Sequence, residues 1–109
     1  MYAELTERAK RGQPIRVALV GAGAMGLGIA WQVGRTPGME LSFVADSSLD
    51  AARKAASLYG KPVRVTADAL ALLRDKAAPY EVLVEATNCI GQAADYCLAA
   101  IERKAHVVL

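Results

Sequence analysis

The sequence predicts an α/β fold: a doubly wound, mostly parallel sheet with helices on both faces. Three observations carry this expectation. Short apolar runs alternate with stretches of helical periodicity, in the order β-α-β-α-β-α-β-α-β after one leading helix. The run Val17-Ala18-Leu19-Val20 is apolar without a break, which suits a parallel strand covered on both sides. Directly after it, Gly21, Gly23 and Gly26 stand in the spacing G-x-G-x-x-G where a helix would open. Right-handed crossovers between such units give the Rossmann-type strand order 3-2-1-4-5.

Taken in order, residues 1–13 read as a short amphipathic helix. Tyr2, Leu5 and Ala9 recur at helical spacing among Glu4, Glu7, Arg8, Lys10 and Arg11, and Gly12 and Pro14 end it. The first strand leads into the glycine turn and a helix from Ala24 to about Gly34. Gly26, Ile29, Ala30 and Val33 share its inner face, and Trp31 is expected to flank the core. Thr36-Pro37-Gly38 turns the chain into a second strand, Met39 to Ala45. Ser47 or Ser48 caps the next helix, Asp50 suits its first turn, and Gly60 ends it after Tyr59. Val63 to Val65 is a short third strand, and Thr66 is expected to cap a helix running through Lys76. Tyr80 to Glu85 forms the fourth strand, Gly91 to Arg103 a helix, and His106 to Leu109 the fifth strand.

The glycine spacing has a physical meaning when strand and helix flank it. Gly21 permits the tight turn, Gly23 lets backbone approach a pyrophosphate, and Gly26 lets helix and strand pack closely. Free N–H groups and the positive dipole end of the helix then face the phosphates. Asp46, twenty residues beyond Gly26, ends the second apolar run, where a carboxylate can meet the hydroxyls of the adenosine ribose. No arginine follows it directly, so NAD is expected over NADP, although Ser47 and Ser48 leave room for dual use. Ligands of open parallel sheets bind at the carboxyl ends of the strands where the order reverses, which places Gly21 to Gly26, Asp46 and residues 86–89 on one rim.

Composition narrows the function classes. The chain has 109 residues, enough for one domain with a core and too few for two. Hydrophobic residues make up 54% and charged ones 22%, so a globular protein is expected. A net charge of +2 with scattered Lys and Arg suggests no nucleic-acid face. Apolar stretches fall short of a membrane span and no signal peptide is read, so the expected place is the cytoplasm. Cys89 and Cys97 form no C-x-x-C pair, and neither a metal site nor a disulfide is expected. Both are expected as small buried side chains of a helix or its entry. His106, the single histidine, is expected as a strand-edge residue rather than a catalyst.

Further stretches carry a family likeness. Leu5, Arg8, Gly12 and Pro14 precede I-R-V-A-L-V-G-A-G-A-M-G, and R-T-P-G-M-E-L, V-A-D and V-E-A-T follow, before A-A-I-E-R-K-A-H-V-V-L. Together they resemble the homoserine dehydrogenase-like oxidoreductases that carry a C-terminal SAF domain. The resemblance implies NAD(P) dependence and a Rossmann domain followed by a catalytic region. It also implies cofactor contacts by Gly21, Ala22, Gly23, Ala24, Met25 and Gly26 at the pyrophosphate, by Asp46 with Ser47 at the adenosine ribose, and by Ala86, Thr87 and Asn88 at the nicotinamide side. No acid–base residue of that family falls within this chain.

The sequence stops at Val107-Val108-Leu109, in or at the end of a strand, and is expected to be a cofactor domain whose substrate region lies after Leu109. Hydride transfer with a small polar alcohol or carbonyl is the expected activity of the whole protein. The alternatives are a reductoisomerase-like enzyme acting on a sugar phosphate, as in the branch resembling 1-deoxyxylulose 5-phosphate reductoisomerase, and a non-catalytic dinucleotide sensor. Self-association is left open.

Overall fold

The computed structural model describes residues 2–87 and 89–109, with the side chains of Tyr2 and Ile90 excepted. The elements are α1 (Tyr2–Lys10), β1 (Ile15–Val20), α2 (Ala24–Gly34), β2 (Met39–Ala45), α3 (Leu49–Tyr59), β3 (Arg64–Thr66), α4 (Ala69–Arg74), β4 (Val82–Glu85), α5 (Ile90–Glu102) and β5 (His106–Val108). The strands form one sheet in the order β3-β2-β1-β4-β5, parallel at every pairing, as the sequence predicts.

Alternation along β1 divides the core. Val17 and Leu19 face one side, where Ala30 and Val33 of α2 and Ala52, Ala55 and Tyr59 of α3 cover them. Ala18 and Val20 face the other, against Leu72 and Leu73 of α4, Ala99 and Ala100 of α5, and Phe43 and Leu83 of the sheet. In β2 this alternation is broken. Val17 pairs with Leu41 but Ala18 pairs with Phe43, so Ser42 is an extra residue and β2 bulges there. The bulge sends Leu41 and Val44 to the α2–α3 side and Phe43 and Ala45 to the other. It also takes the Leu41 N–H to a side-chain acceptor, the buried Tyr59 hydroxyl at 3.1 Å.

Most element ends follow from local chemistry. α1 closes with Gly12 N–H donating to Ala9 C=O at 3.2 Å and Gln13 N–H to Arg8 C=O at 2.9 Å, with Gly12 at φ +67°. That pair of bonds is a Schellman ending, and it stops the helix three residues before the expected Gln13. Ser48 caps α3 by accepting from Ala51 N–H at 3.2 Å, and Gly60 ends it at φ 82°. The cap of α4 is Asp68, not Thr66: its carboxylate accepts from Ala71 N–H at 3.2 Å. Thr66 still belongs to β3, and its hydroxyl accepts from Asp68 N–H at 2.9 Å, turning the chain into the helix. α4 ends at Arg74, two residues before Lys76.

Two further differences have steric or geometric causes. β4 starts at Val82 because Tyr80 turns inward, donating its hydroxyl to Leu73 C=O at 2.8 Å and meeting Phe43 edge-on at 6.1 Å. Arg103 lies over the same ring at 4.7 Å. Trp31 stays outside the core, 46% exposed, with the Arg35 guanidinium 4.6 Å from its ring. The buried stripe of α2 is Gly26, Ala30 and Val33, and Trp31 sits about 100° around the helix from Ala30. His106 opens the edge strand β5 and is exposed, as expected of a strand-edge residue.

Replacing Tyr59 by Phe leaves the Leu41 N–H without its acceptor, and is expected to cost about 1–3 kcal/mol in chemical denaturation. Burial is the main cause that raises the phenols of Tyr59, Tyr80 and Tyr96 above 10.0. The folded chain therefore keeps protons that the unfolded chain releases. Stability is fully present below about pH 10 and falls as pH rises through the folded values. Melting curves across that window should show a shallower loss in the Tyr59→Phe variant.

Candidate functional site

The site is built where β1 hands over to α2. Gly21 stands at φ +102°, and its N–H donates to Ala45 C=O at 2.8 Å. A Cβ on it would lie 2.6 Å from Ala86 C and 2.7 Å from Thr87 N, so backbone of the loop after β4 presses directly on the turn. A Cβ on Gly26 would lie 2.0 Å from Gly21 O, so the first turn of α2 folds back against the same glycine. Gly23 is the opposite case: a Cβ there meets nothing within 4 Å. Two glycines close the turn, and the third opens it.

The start of α2 is bare. Its cap residue Gly23 brings no side-chain acceptor, and its first turn holds no acidic residue. The first intrahelical bond runs from Leu27 N–H to Gly23 C=O at 2.9 Å, so the N–H groups of Ala24, Met25 and Gly26 have no acceptor within the helix. Ala24 and Met25 are exposed and Gly26 is buried. Ala22 is buried as well, and its N–H is already committed to Asp46 Oδ2 at 2.7 Å.

Asp46 joins two loops. Besides Ala22, it accepts from Ser48 N–H at Oδ1, 2.8 Å away, and its own N–H donates to Thr66 C=O at 3.1 Å. It does not cap α3, whose cap is Ser48. Each carboxylate oxygen takes one backbone donor and retains a lone pair for another.

Two cavities follow the rim. The first, about 330 Å³, is lined by Gly21, Gly23, Asp46, Ser47, Ala86 and Thr87, and on its far wall by Ala67, Ala69, Cys89, Gln92 and Tyr96. The second, about 450 Å³, is lined by Gly23, Ala24, Met25, Glu85, Ala86, Thr87 and Leu109. The glycine turn, the end of β2 and the loop after β4 thus converge as predicted. Ala22 and Gly26 shape the turn from beneath and line neither cavity. Asn88 lies outside the described residues.

Several wall residues were not anticipated. Gln92 and Tyr96 stand four apart on α5 and reach one cavity together, a spacing that is the only signal the sequence offers. Burial, with the charges of Cys89, Glu85, Asp68 and Asp95 adding to it, raises the Tyr96 phenol. Cys89 is exposed rather than buried, because it precedes α5 in the loop that lines the cavity. Cys97 is half-buried, and burial followed by the charge of Glu85 raises its thiol. Among the described residues no cluster of His, Cys, Asp and Glu could hold a metal ion, and no helix is long and apolar enough to cross a membrane.

Residues 21–109 match the family described as the homoserine dehydrogenase NAD-binding domain. The chain belongs to that family. Its solved structural neighbours include a myo-inositol dehydrogenase from Lactobacillus casei in complex with NAD(H) and myo-inositol, at 22% identity and a TM-score of 0.74. A second is a myo-inositol dehydrogenase from Corynebacterium glutamicum, at 25% identity and a TM-score of 0.71. A third is a 3-ketoreductase from Actinomadura kijaniata in complex with TDP-benzene and NADP, at 23% identity and a TM-score of 0.65. Each alignment covers 86% of this chain but only 27%, 27% and 29% of the respective neighbour. No curated protein matches the chain in sequence. The chain is thus an NAD-binding domain of oxidoreductase ancestry with the Rossmann architecture.

The glycine geometry makes a paired prediction. Gly26→Ala forces a methyl onto the Gly21 carbonyl and is expected to cost about 1–3 kcal/mol of stability. Gly23→Ala, facing open space, should cost less, at most about 1 kcal/mol for a poorer helix cap. Thermal melts of the two variants compare them directly, and equal losses would contradict the assignment of turn-closing and turn-opening glycines.

Proposed function

We propose that this chain is the cofactor-binding part of an NAD(P)-dependent oxidoreductase resembling the homoserine dehydrogenase-like enzymes with a C-terminal SAF domain. Its substrate is a small polar alcohol or carbonyl, held by residues outside 1–109. The observation that carries this reading is the open space over Gly23 beside a helix start with uncommitted N–H groups, in a rim lined by three strand ends. The structural neighbours named for an inositol dehydrogenase and a ketoreductase support the substrate class.

In this reading the Ala24 and Met25 N–H groups donate to the pyrophosphate, with the positive end of α2 behind them. Gly21 and Gly26 hold the turn, and Ala22 transmits the position of Asp46 to it. Asp46, with Ser47 beside it, accepts hydrogen bonds from the adenosine ribose hydroxyls while its backbone donors keep the carboxylate in place. Ala86, Thr87 and Asn88 border the nicotinamide side, where the bound ring supplies or accepts the hydride. No residue of this chain is assigned as the acid or base.

A side chain at Gly23 occupies the space the pyrophosphate requires. Gly23→Val is therefore expected to lower NAD affinity at least tenfold in calorimetric titration while the melting temperature stays near that of the parent. Undiminished affinity in the folded variant would remove the phosphate cradle from this loop.

The Asp46 carboxylate repels a 2′-phosphate at short range, so NAD should bind more tightly than NADP. Asp46→Ala is expected to narrow that ratio by about tenfold, an electrostatic contribution of roughly 1.4 kcal/mol. If NADP binds the parent as tightly as NAD, and the substitution leaves the ratio alone, Asp46 serves only the backbone of the two loops.

A further inference from the structure

Glu85 is the one buried charged side chain among the described residues, 8% exposed at the carboxyl end of β4, beside the central strand β1. One oxygen, Oε1, accepts from the N–H of Thr87 at 2.9 Å and also from the Thr87 hydroxyl. The other oxygen, Oε2, has no donor among the described residues. None of the ion pairs among those residues includes Glu85. A buried carboxylate with no cation beside it, and with both of its donors on one oxygen, gains from a group that enters the site and donates to the other.

The carboxylate faces the place where completion would come from. It lines the cavity shared with Gly23, Met25 and Thr87, and also a larger one, about 560 Å³, shared with Cys89, Cys97 and Leu109. The chemistry that fits is a group with both an N–H donor and a positive charge. The nicotinamide end of an oxidised dinucleotide offers both, in its carboxamide and its pyridinium ring. The reduced ring offers only the donor. ADP-ribose offers neither.

We propose that Glu85 recognises the carboxamide of the nicotinamide through Oε2 and favours the oxidised over the reduced cofactor. This rests on the dinucleotide reading of the rim. Thr87, by holding Oε1, turns Oε2 toward the cavity.

Titration of the chain and its Glu85→Gln variant with NAD+, NADH and ADP-ribose tests the proposal. NAD+ affinity should fall by about tenfold in the variant, NADH affinity by about threefold or less, and ADP-ribose affinity should not change. An equal fall for NAD+ and ADP-ribose, or no fall at all, would overturn it and leave Glu85 as a prop for the loop. A second measurement needs no variant. Nicotinic acid adenine dinucleotide carries a carboxylate in place of the carboxamide, and the unmodified chain should bind it at least tenfold more weakly than NAD+. Equal affinity for those two overturns the proposal even if Glu85→Gln does not fold. An unmodified chain that binds ADP-ribose but shows neither preference sinks the Glu85 assignment alone. One that binds neither ADP-ribose nor NAD+ sinks the dinucleotide reading with it.

Discussion

The missing side chain of Gly21 is the constraint on which the site depends. Three backbone segments meet at this residue: the end of β1, the first turn of α2 and the loop after β4. The close contacts with Ala86 and Thr87 on one side, and of Gly26 with the Gly21 carbonyl on the other, leave no room for a methyl group at either glycine. Main-chain packing of this kind cannot be relieved by a rotamer change. It sets the distance between the glycine turn and β4, and with it the width of the rim.

Hydrogen bonding then carries this order outward. Asp46 ties Ala22 to Ser48, so the glycine turn, the end of β2 and the start of α3 are joined through one side chain. Glu85 does the same for its own loop by holding Thr87. Asp46 directly follows β2 and Glu85 ends β4, the strands that flank β1 on either side. The backbone donors of the two carboxylates lower the cost of keeping charge at the edge of an apolar core. The rim is thus held by main chain and carboxylates, with little large apolar side-chain packing at its centre.

The sheet and most of the rim were legible in the sequence because their signals are local. An unbroken apolar strand, a glycine spacing and a strand-end acid are each confined to a few residues, and the strand order follows from parallel connectivity. Trp31 was misjudged because apolarity says nothing about angular position on a helix whose other residues are mostly small or apolar. Thr66 and Asp68 are both good caps, and the choice between them turned on one more residue of pairing in β3, which no propensity reveals. In the sequence Glu85 is only the last residue of the fourth strand. Burial is set by tertiary packing, which strand periodicity does not reveal. The bulge at Ser42 was equally silent, since Leu41 to Ala45 looks the same with or without it.

That bulge has a consequence for how the domain tolerates changes in length. β2 carries one residue more than the stretch of β1 beside it, and the surplus residue is Ser42. If its codon were lost, Leu41 would still pair with Val17 and Phe43 with Ala18, and each would keep its present side of the sheet. An ordinary deletion within a strand turns everything beyond it inside out. Here the ladder would simply close up, and Asp46 would arrive at the rim with the same orientation. β2 therefore contains a built-in slack point, where its length can change by one residue without passing the change on to the ligand end.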